Sequence, residues 1–163
     1  MNKSLKILIA SSLIFFLFRY IPHPPNFTPI LAICMYGTIF YGPRVLIIMI
    51  CSYALVDLII GFHKFLIFTW GSLALIGLVS VFYKNFQTRI LGCFISALIF
   101  FIFTNFGVWL LSEFYTKDFD GLLKCYILAI PFFTNSILAT LIFGMFIEII
   151  IMSKNKIIPL FHK

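Results

Sequence analysis

Long apolar runs, parted only by short clusters of proline, glycine and basic residues, decide what this chain can become. A helix needs roughly 20 consecutive apolar residues to cross a bilayer, and the stretch from Ile7 to Met152 is a succession of apolar runs with almost no charge inside them. Of the 163 residues, 63% are apolar and 10% charged, which is too little charge to clothe a water-soluble globule of this size. Such a composition excludes a disordered segment, a collagen-like repeat and a disulfide-stapled secreted scaffold. The expected fold is an all-α integral membrane protein, with about six transmembrane helices in one compact bundle and residues 1–163 forming a single domain. The net charge of +7 then reads as orientation signal, not as a nucleic-acid footprint.

Proline and glycine place the breaks. Lys3 and Lys6 ahead of Ile7 to Phe18 resemble the start of a secretory signal. Arg19 to Pro25 offers no small-x-small cleavage site, however, so the run is expected to be an uncleaved first helix. Pro22, Pro24 and Pro25 end it, because each removes a backbone donor and pushes its predecessor into extended geometry. A short second helix is predicted over about Phe27 to Tyr41, a third over Arg44 to Gly61 and a fourth over about Phe65 to Phe82. The fifth is predicted over about Ile90 to Leu111, and the sixth runs from beyond Gly121 to about Met152, bent at Pro131.

Lys and Arg orient the bundle. With both termini inside, Lys3, Lys6, Arg44, Lys84, Arg89, Lys154, Lys156 and Lys163 fall on the cytoplasmic side, against Arg19, Lys64, Lys117 and Lys124 outside. That imbalance predicts N-in and C-in. The abundance of Phe and Ile points to an AT-rich bacterial genome, so the expected location is a bacterial cytoplasmic membrane, crossed several times.

Polar side chains are costly inside a bilayer unless they face a partner or a water-filled cavity. On the predicted topology they collect in the outer half. Arg19 closes helix 1, Asn26 and Thr28 open helix 2, and Asp57 lies a turn below the outer end of helix 3. Trp70 opens helix 4, Asn105 and Trp109 lie towards the outer end of helix 5, and Tyr126 and Asn135 belong to the outer half of helix 6. The expected site is therefore an outward-facing pocket for a small molecule, lined by Arg19, Asn26, Thr28, Asp57, Trp70, Asn105, Trp109, Tyr126 and Asn135. Few charges among many rings suit a flat, largely neutral heterocycle. The alternative is a non-transport scaffold or assembly protein in which the same residues merely bond helices together.

Chemistry of other kinds has no motif to stand on. Cys34, Cys51, Cys93 and Cys125 occupy separate apolar runs without a C-x-x-C pair, and His23, His63 and His162 have no i,i+4 partner. No metal, cofactor or catalytic residue is expected, since G-x-S-x-G, H-E-x-x-H and the P-loop are all absent from the sequence. Uphill uptake would then need an energising partner. The expected contact regions are Ala10 to Ser12 on helix 1 and the small-residue stripe Ser136, Thr140, Gly144 on helix 6.

Several motifs carry a resemblance. Pro22-His23-Pro24-Pro25-Asn26-Phe27-Thr28-Pro29, Asp57 with Gly61-Phe62, Thr104-Asn105-Phe106-Gly107-Val108-Trp109, Gly121-Leu122, Cys125-Tyr126 and Ala129-Ile130-Pro131-Phe132-Phe133 resemble a family of uncharacterised bacterial six-span proteins. That family is similar in turn to the substrate-binding S components of energy-coupling factor (ECF) vitamin transporters. The resemblance implies capture of a vitamin-like solute on the outer side and delivery through a transmembrane coupling subunit and two cytoplasmic ATPases. One departure is visible: S components often carry alanines four apart on helix 1, where this chain has Ala10-Ser11-Ser12.

Overall fold

A computed structural model describes residues 3–157, which form helices and loops only. The seven helices are α1 (Lys3–Tyr20), α2 (Ile30–Tyr41), α3 (Arg44–Ile60), α4 (Leu66–Ser80), α5 (Phe86–Leu111), α6 (Phe119–Leu128) and α7 (Ile130–Ile157). His162 and Lys163 lie outside the described residues, as do the side chains of Lys3, Lys154 and Lys156 that enter the charge imbalance. The all-α expectation holds. Two of the helices, Phe86–Leu111 and Ile130–Ser153, are long and apolar enough to cross a membrane.

Local chemistry explains where the helices depart from the expected bounds. α5 starts four residues early because Asn85 and Thr88 form a reciprocal cap: the Asn85 side chain accepts from Thr88 N–H and the Thr88 hydroxyl accepts from Asn85 N–H. α2 starts late, at Ile30, because Asn26 adopts φ 63° and the segment before Pro29 is taken up by turns closed from Phe27 N–H to Pro24 and from Thr28 N–H to Asn26. Gly42 and Gly61, at φ 83° and 115°, end α2 and α3 in conformations that a side chain would strain. The expected sixth helix is in fact two. Pro131 has no N–H for the Ile127 carbonyl and its ring crowds that group, so α6 stops at Leu128 and Ala129 alone joins it to α7.

α2 lies at the centre, packed against α3, α4, α5 and α7. Its Ala32, Cys34, Met35 and Tyr36 are buried together with Phe15 of α1, Val56 of α3 and Leu73 and Ile76 of α4. The partition of polarity is inverted relative to a water-soluble bundle. Ser52, Ser72, Ser80 and Thr140 are fully enclosed, whereas Ile47, Ile59, Ile67 and Phe82 stand outside at 67 to 80% exposure. Each enclosed hydroxyl donates to a carbonyl three or four residues back in its own helix, and Ser52 also meets Ser11 of α1 at 2.6 Å.

Part of the expected docking regions is packed within the chain itself. Ser11 is occupied by Ser52 within the chain. Ser136 and Thr140 are buried, and a Cβ on Gly144 would meet Cys93 of α5 and Tyr36 of α2, so the small-residue stripe receives this chain's own helices.

Close approach elsewhere depends on glycine. A Cβ on Gly107 would run into the root of the Phe68 ring, which cannot swing aside, whereas Gly71 has open space around the same position. Gly107→Ala is expected to destabilise the protein by about 1 to 3 kcal/mol through overpacking, and Gly71→Ala to stabilise it by up to about 1 kcal/mol through helix propensity. Thermal melts of the two variants in detergent check this pair, and equal shifts would refute the packing account.

Candidate functional site

Asp57 is the most enclosed charge at the end of the bundle where α1 and α3 finish, with 1% of its side chain exposed. Its Oδ1 accepts from Arg19 Nη2 at 2.8 Å and its Oδ2 from Trp70 Nε1 at 2.9 Å. The same Nη2 donates to the Tyr53 hydroxyl at 2.9 Å, and the guanidinium lies over the Tyr53 ring. Tyr53 and Asp57 are four apart, so one face of α3 presents both. The ion pair thus ties α1, α3 and α4 together, and about a third of the Arg19 side chain, 33%, remains exposed.

That exposed part of Arg19 faces two adjoining cavities, which share Arg19, Asn26, Tyr53, Thr69 and Phe100 as walls. The first, of about 240 Å³, reaches inward past Thr28 and His23 to Phe15 and Leu31. The second, of about 460 Å³, extends between α4, α5 and α6 past Asn105, Phe65, Phe132 and Tyr115. The proline-rich segment 21–29 forms part of both walls. His23 is fixed there, with Nδ1 2.8 Å from the Pro24 carbonyl and Nε2 2.6 Å from the Phe18 carbonyl. α2 opens into the first cavity from Pro29 without any side-chain cap.

The residues singled out in the sequence divide into three groups. Arg19, Asn26, Thr28 and Asn105 line the cavities. Asn105 spends one amide hydrogen on its own helix, at Phe101 O, 2.8 Å. Asp57 and Trp70 stand behind Arg19 and hold it, so the carboxylate does not itself reach the space. Trp109, Tyr126 and Asn135 bind backbone carbonyls instead: Thr116 at 2.9 Å, Ile102 at 2.7 Å and Pro25 at 3.0 Å respectively. They fix the 112–118 loop, join α6 to α5, and fasten the proline segment to α7. Residues that the sequence reading passed over also line the space. Tyr53 had a usable signal in its spacing to Asp57; His23 had one in its proline-rich setting; Thr69 had one beside Trp70 at the outer start of helix 4; Phe100 had none. Among the described residues no group of His, Cys, Asp and Glu could hold a metal ion.

The chain matches a family of unknown function, DUF6580, over residues 1–157. It belongs to that family. The match agrees with the expectation of an uncharacterised family and assigns DUF6580 no activity. No curated protein and no solved structure matches the chain.

The 112–118 loop borders the second cavity through Tyr115, whose phenol is pushed up mainly by burial and so stays protonated. Lys117 donates to the carbonyls of Trp109 and Ser112, and the Asp118 carboxylate caps α6 by accepting from Gly121 N–H at 2.7 Å. A hydrogen bond from the Thr116 hydroxyl, then the Gly121 N–H, holds the Asp118 carboxyl below its ordinary range. A depressed value means that the cap is at full strength above the ordinary carboxylate range and is lost as pH falls through the folded-state value. Backbone hydrogen exchange over 119–122 is therefore expected to be faster in Asp118→Ala than in wild type at neutral pH, and the gap to close on acidification. A gap independent of pH would refute the charged cap.

Removing Asp57 leaves both Arg19 and the Trp70 N–H without their acceptor. Asp57→Ala is expected to cost about 3 kcal/mol, the low end for a broken buried pair because Arg19 keeps some solvent, and Asp57→Asn distinctly less because an acceptor remains. Denaturant titration of the purified variants measures both, and equal losses would remove the charge from the account.

Proposed function

We propose that this protein is an integral membrane protein of six transmembrane segments that captures a small solute from outside a bacterial cell. In this reading α6 and α7 together form the sixth segment, and residues 21–29 with α2 the second. One observation carries it: a polar cavity opens at one end of a bundle whose exterior is apolar. Large aliphatic and aromatic side chains cover the outside of α3, α4 and α7 while hydroxyls and charges turn inward, an arrangement that suits lipid. Non-helical backbone at membrane depth is tolerated where it lines a cavity, and segment 21–29 is such a backbone.

Orientation by basic residues puts the cavity outside. The opposite end carries the bidentate pair of Arg89 with Glu148, in which Arg89 Nη2 lies 2.9 Å from Glu148 Oε2. A sequence without a nucleotide-binding motif cannot itself couple ATP hydrolysis to accumulation. We therefore assign it the part of an S component in an ECF-type transporter, working with a transmembrane coupling subunit and cytoplasmic ATPases. The similarity in size, in number of segments and in orientation supports that assignment.

Two measurements test the proposal. On a cysteine-free background an impermeant thiol reagent added outside whole cells is expected to label Asp118→Cys and to spare Asn85→Cys, and the reverse pattern would overturn the orientation. In liposomes, the purified protein alone is expected to retain the small molecule that copurifies with it without accumulating or exchanging it. Vigorous counterflow by the isolated protein would refute the need for a partner, and the absence of any retained molecule would favour the scaffold reading.

A further inference from the structure

Among the described residues no carboxylate lines either cavity, because Asp57 is turned to Arg19 and Trp70. Arg19 engages Tyr53 and Asp57 through Nη2 alone, so its Nε and Nη1 donors have no hydrogen-bond partner among the described residues, and its side chain lines both cavities. The uncapped start of α2 adds the positive end of a helix dipole to the same space. The unpaired guanidinium donors and the start of α2 therefore meet at a space that no carboxylate of the described residues lines.

Number and kind of donors narrow the class. Arg19 is the only side chain lining the cavities that has uncommitted charged donors, and no lysine lines either one. A dianionic phosphate would bring two charges to a guanidinium that Asp57 already pairs, whereas a carboxylate brings one and gains a charge-assisted hydrogen bond from a donor left unpaired. Around Arg19 the second cavity is walled by Phe65, Phe100 and Phe132, which suit a flat ring. We propose that the site takes a small organic monoanion, a ring-bearing carboxylate, that accepts from an unpaired donor of Arg19, Nε or Nη1, while the ring lies among Phe65, Phe100 and Phe132. This replaces the neutral heterocycle expected from composition, and it rests on the capture reading.

Matched probes test it: benzoate, 2-naphthoate and indole-3-acetate against their primary amides, each titrated into the detergent-purified full chain. The carboxylates are expected to raise Tm with saturation and to bind at least about tenfold more tightly than the amides, the ratio set by a lost charge-assisted hydrogen bond. Arg19→Gln alone would strand Asp57, so the paired variant Arg19→Gln/Asp57→Asn, which removes both charges together, is expected to fold and to bring acid and amide within about twofold of each other. If the paired variant does not fold, Arg19→Lys takes its place. That variant keeps the charge without the guanidinium's fixed donors and is expected to retain preference for the acids at reduced affinity. Amides equal to acids in wild type, an acid preference that survives the paired variant, or no stabilisation by any acid would each overturn the proposal. Mass spectrometry of the copurifying molecule separates the two failures. A neutral or cationic molecule would sink the carboxylate and leave capture standing, whereas no molecule from probes or extract would sink both.

Discussion

A carboxylate enclosed among aliphatic side chains has to be answered, since an isolated buried charge costs several kcal/mol. Asp57 is answered on both oxygens, by the Arg19 guanidinium and the Trp70 indole, and those two donors come from different helices. The requirement therefore fixes more than one contact. It sets how far α1 runs before it breaks, which way α4 is rotated, and where the cation lies that faces the cavity. Tyr53 completes the arrangement by taking the second hydrogen of Nη2 and offering its ring to the guanidinium.

The same demand recurs at the other end and is met by different elements. Glu148 of α7, 1% exposed, is held by two nitrogens of Arg89 at the first turn of α5, and Arg89 also donates to the Lys84 carbonyl and lies over the Phe40 ring. Two buried pairs at opposite ends thus clamp different helices: α1, α3 and α4 at the cavity end, α5 and α7 at the far end. Between them α2 forms the axis of the core. It is short, 12 residues, because three prolines and the left-handed Asn26 keep the chain before it from coiling. The shortfall leaves room at one end, and that room is the cavity.

Polar placement follows from the solvent the exterior suits. A bundle that turns apolar side chains outward has little to gain from burying more of them, so its inner contacts rest on close packing and on satisfied hydroxyls. Small residues along α5, Gly92, Cys93, Ser96 and Ala97, are buried for this reason, and Gly107 admits the Phe68 ring. Trp109, Tyr126 and Asn135 illustrate the other use of polarity. Each reaches a backbone carbonyl that segment ends or loops expose, and so each secures a boundary of the cavity without entering it.

Sequence by itself determined the helical class, most breaks and the clustering of polar residues towards one end, because proline, glycine and apolar run length act locally. It counted Arg19, Asn26, Thr28 and Asn105 towards one end of the bundle, where they line the cavities, since helix ends can be counted along the chain. Tertiary structure alone decided the rest. The Asn85–Thr88 cap and the break at Ala129 depend on local hydrogen bonds that run length does not record. Whether Asp57 faces a ligand or a guanidinium depends on the rotation of α1 against α3, a distance of 38 residues in the chain. The small residues of α7 look equally fit for an outside helix or an inner one until Tyr36 and Cys93 are found against Gly144. The sign of the cavity's charge is likewise a property of which groups end up paired, and pairing between distant helices is settled only when they pack.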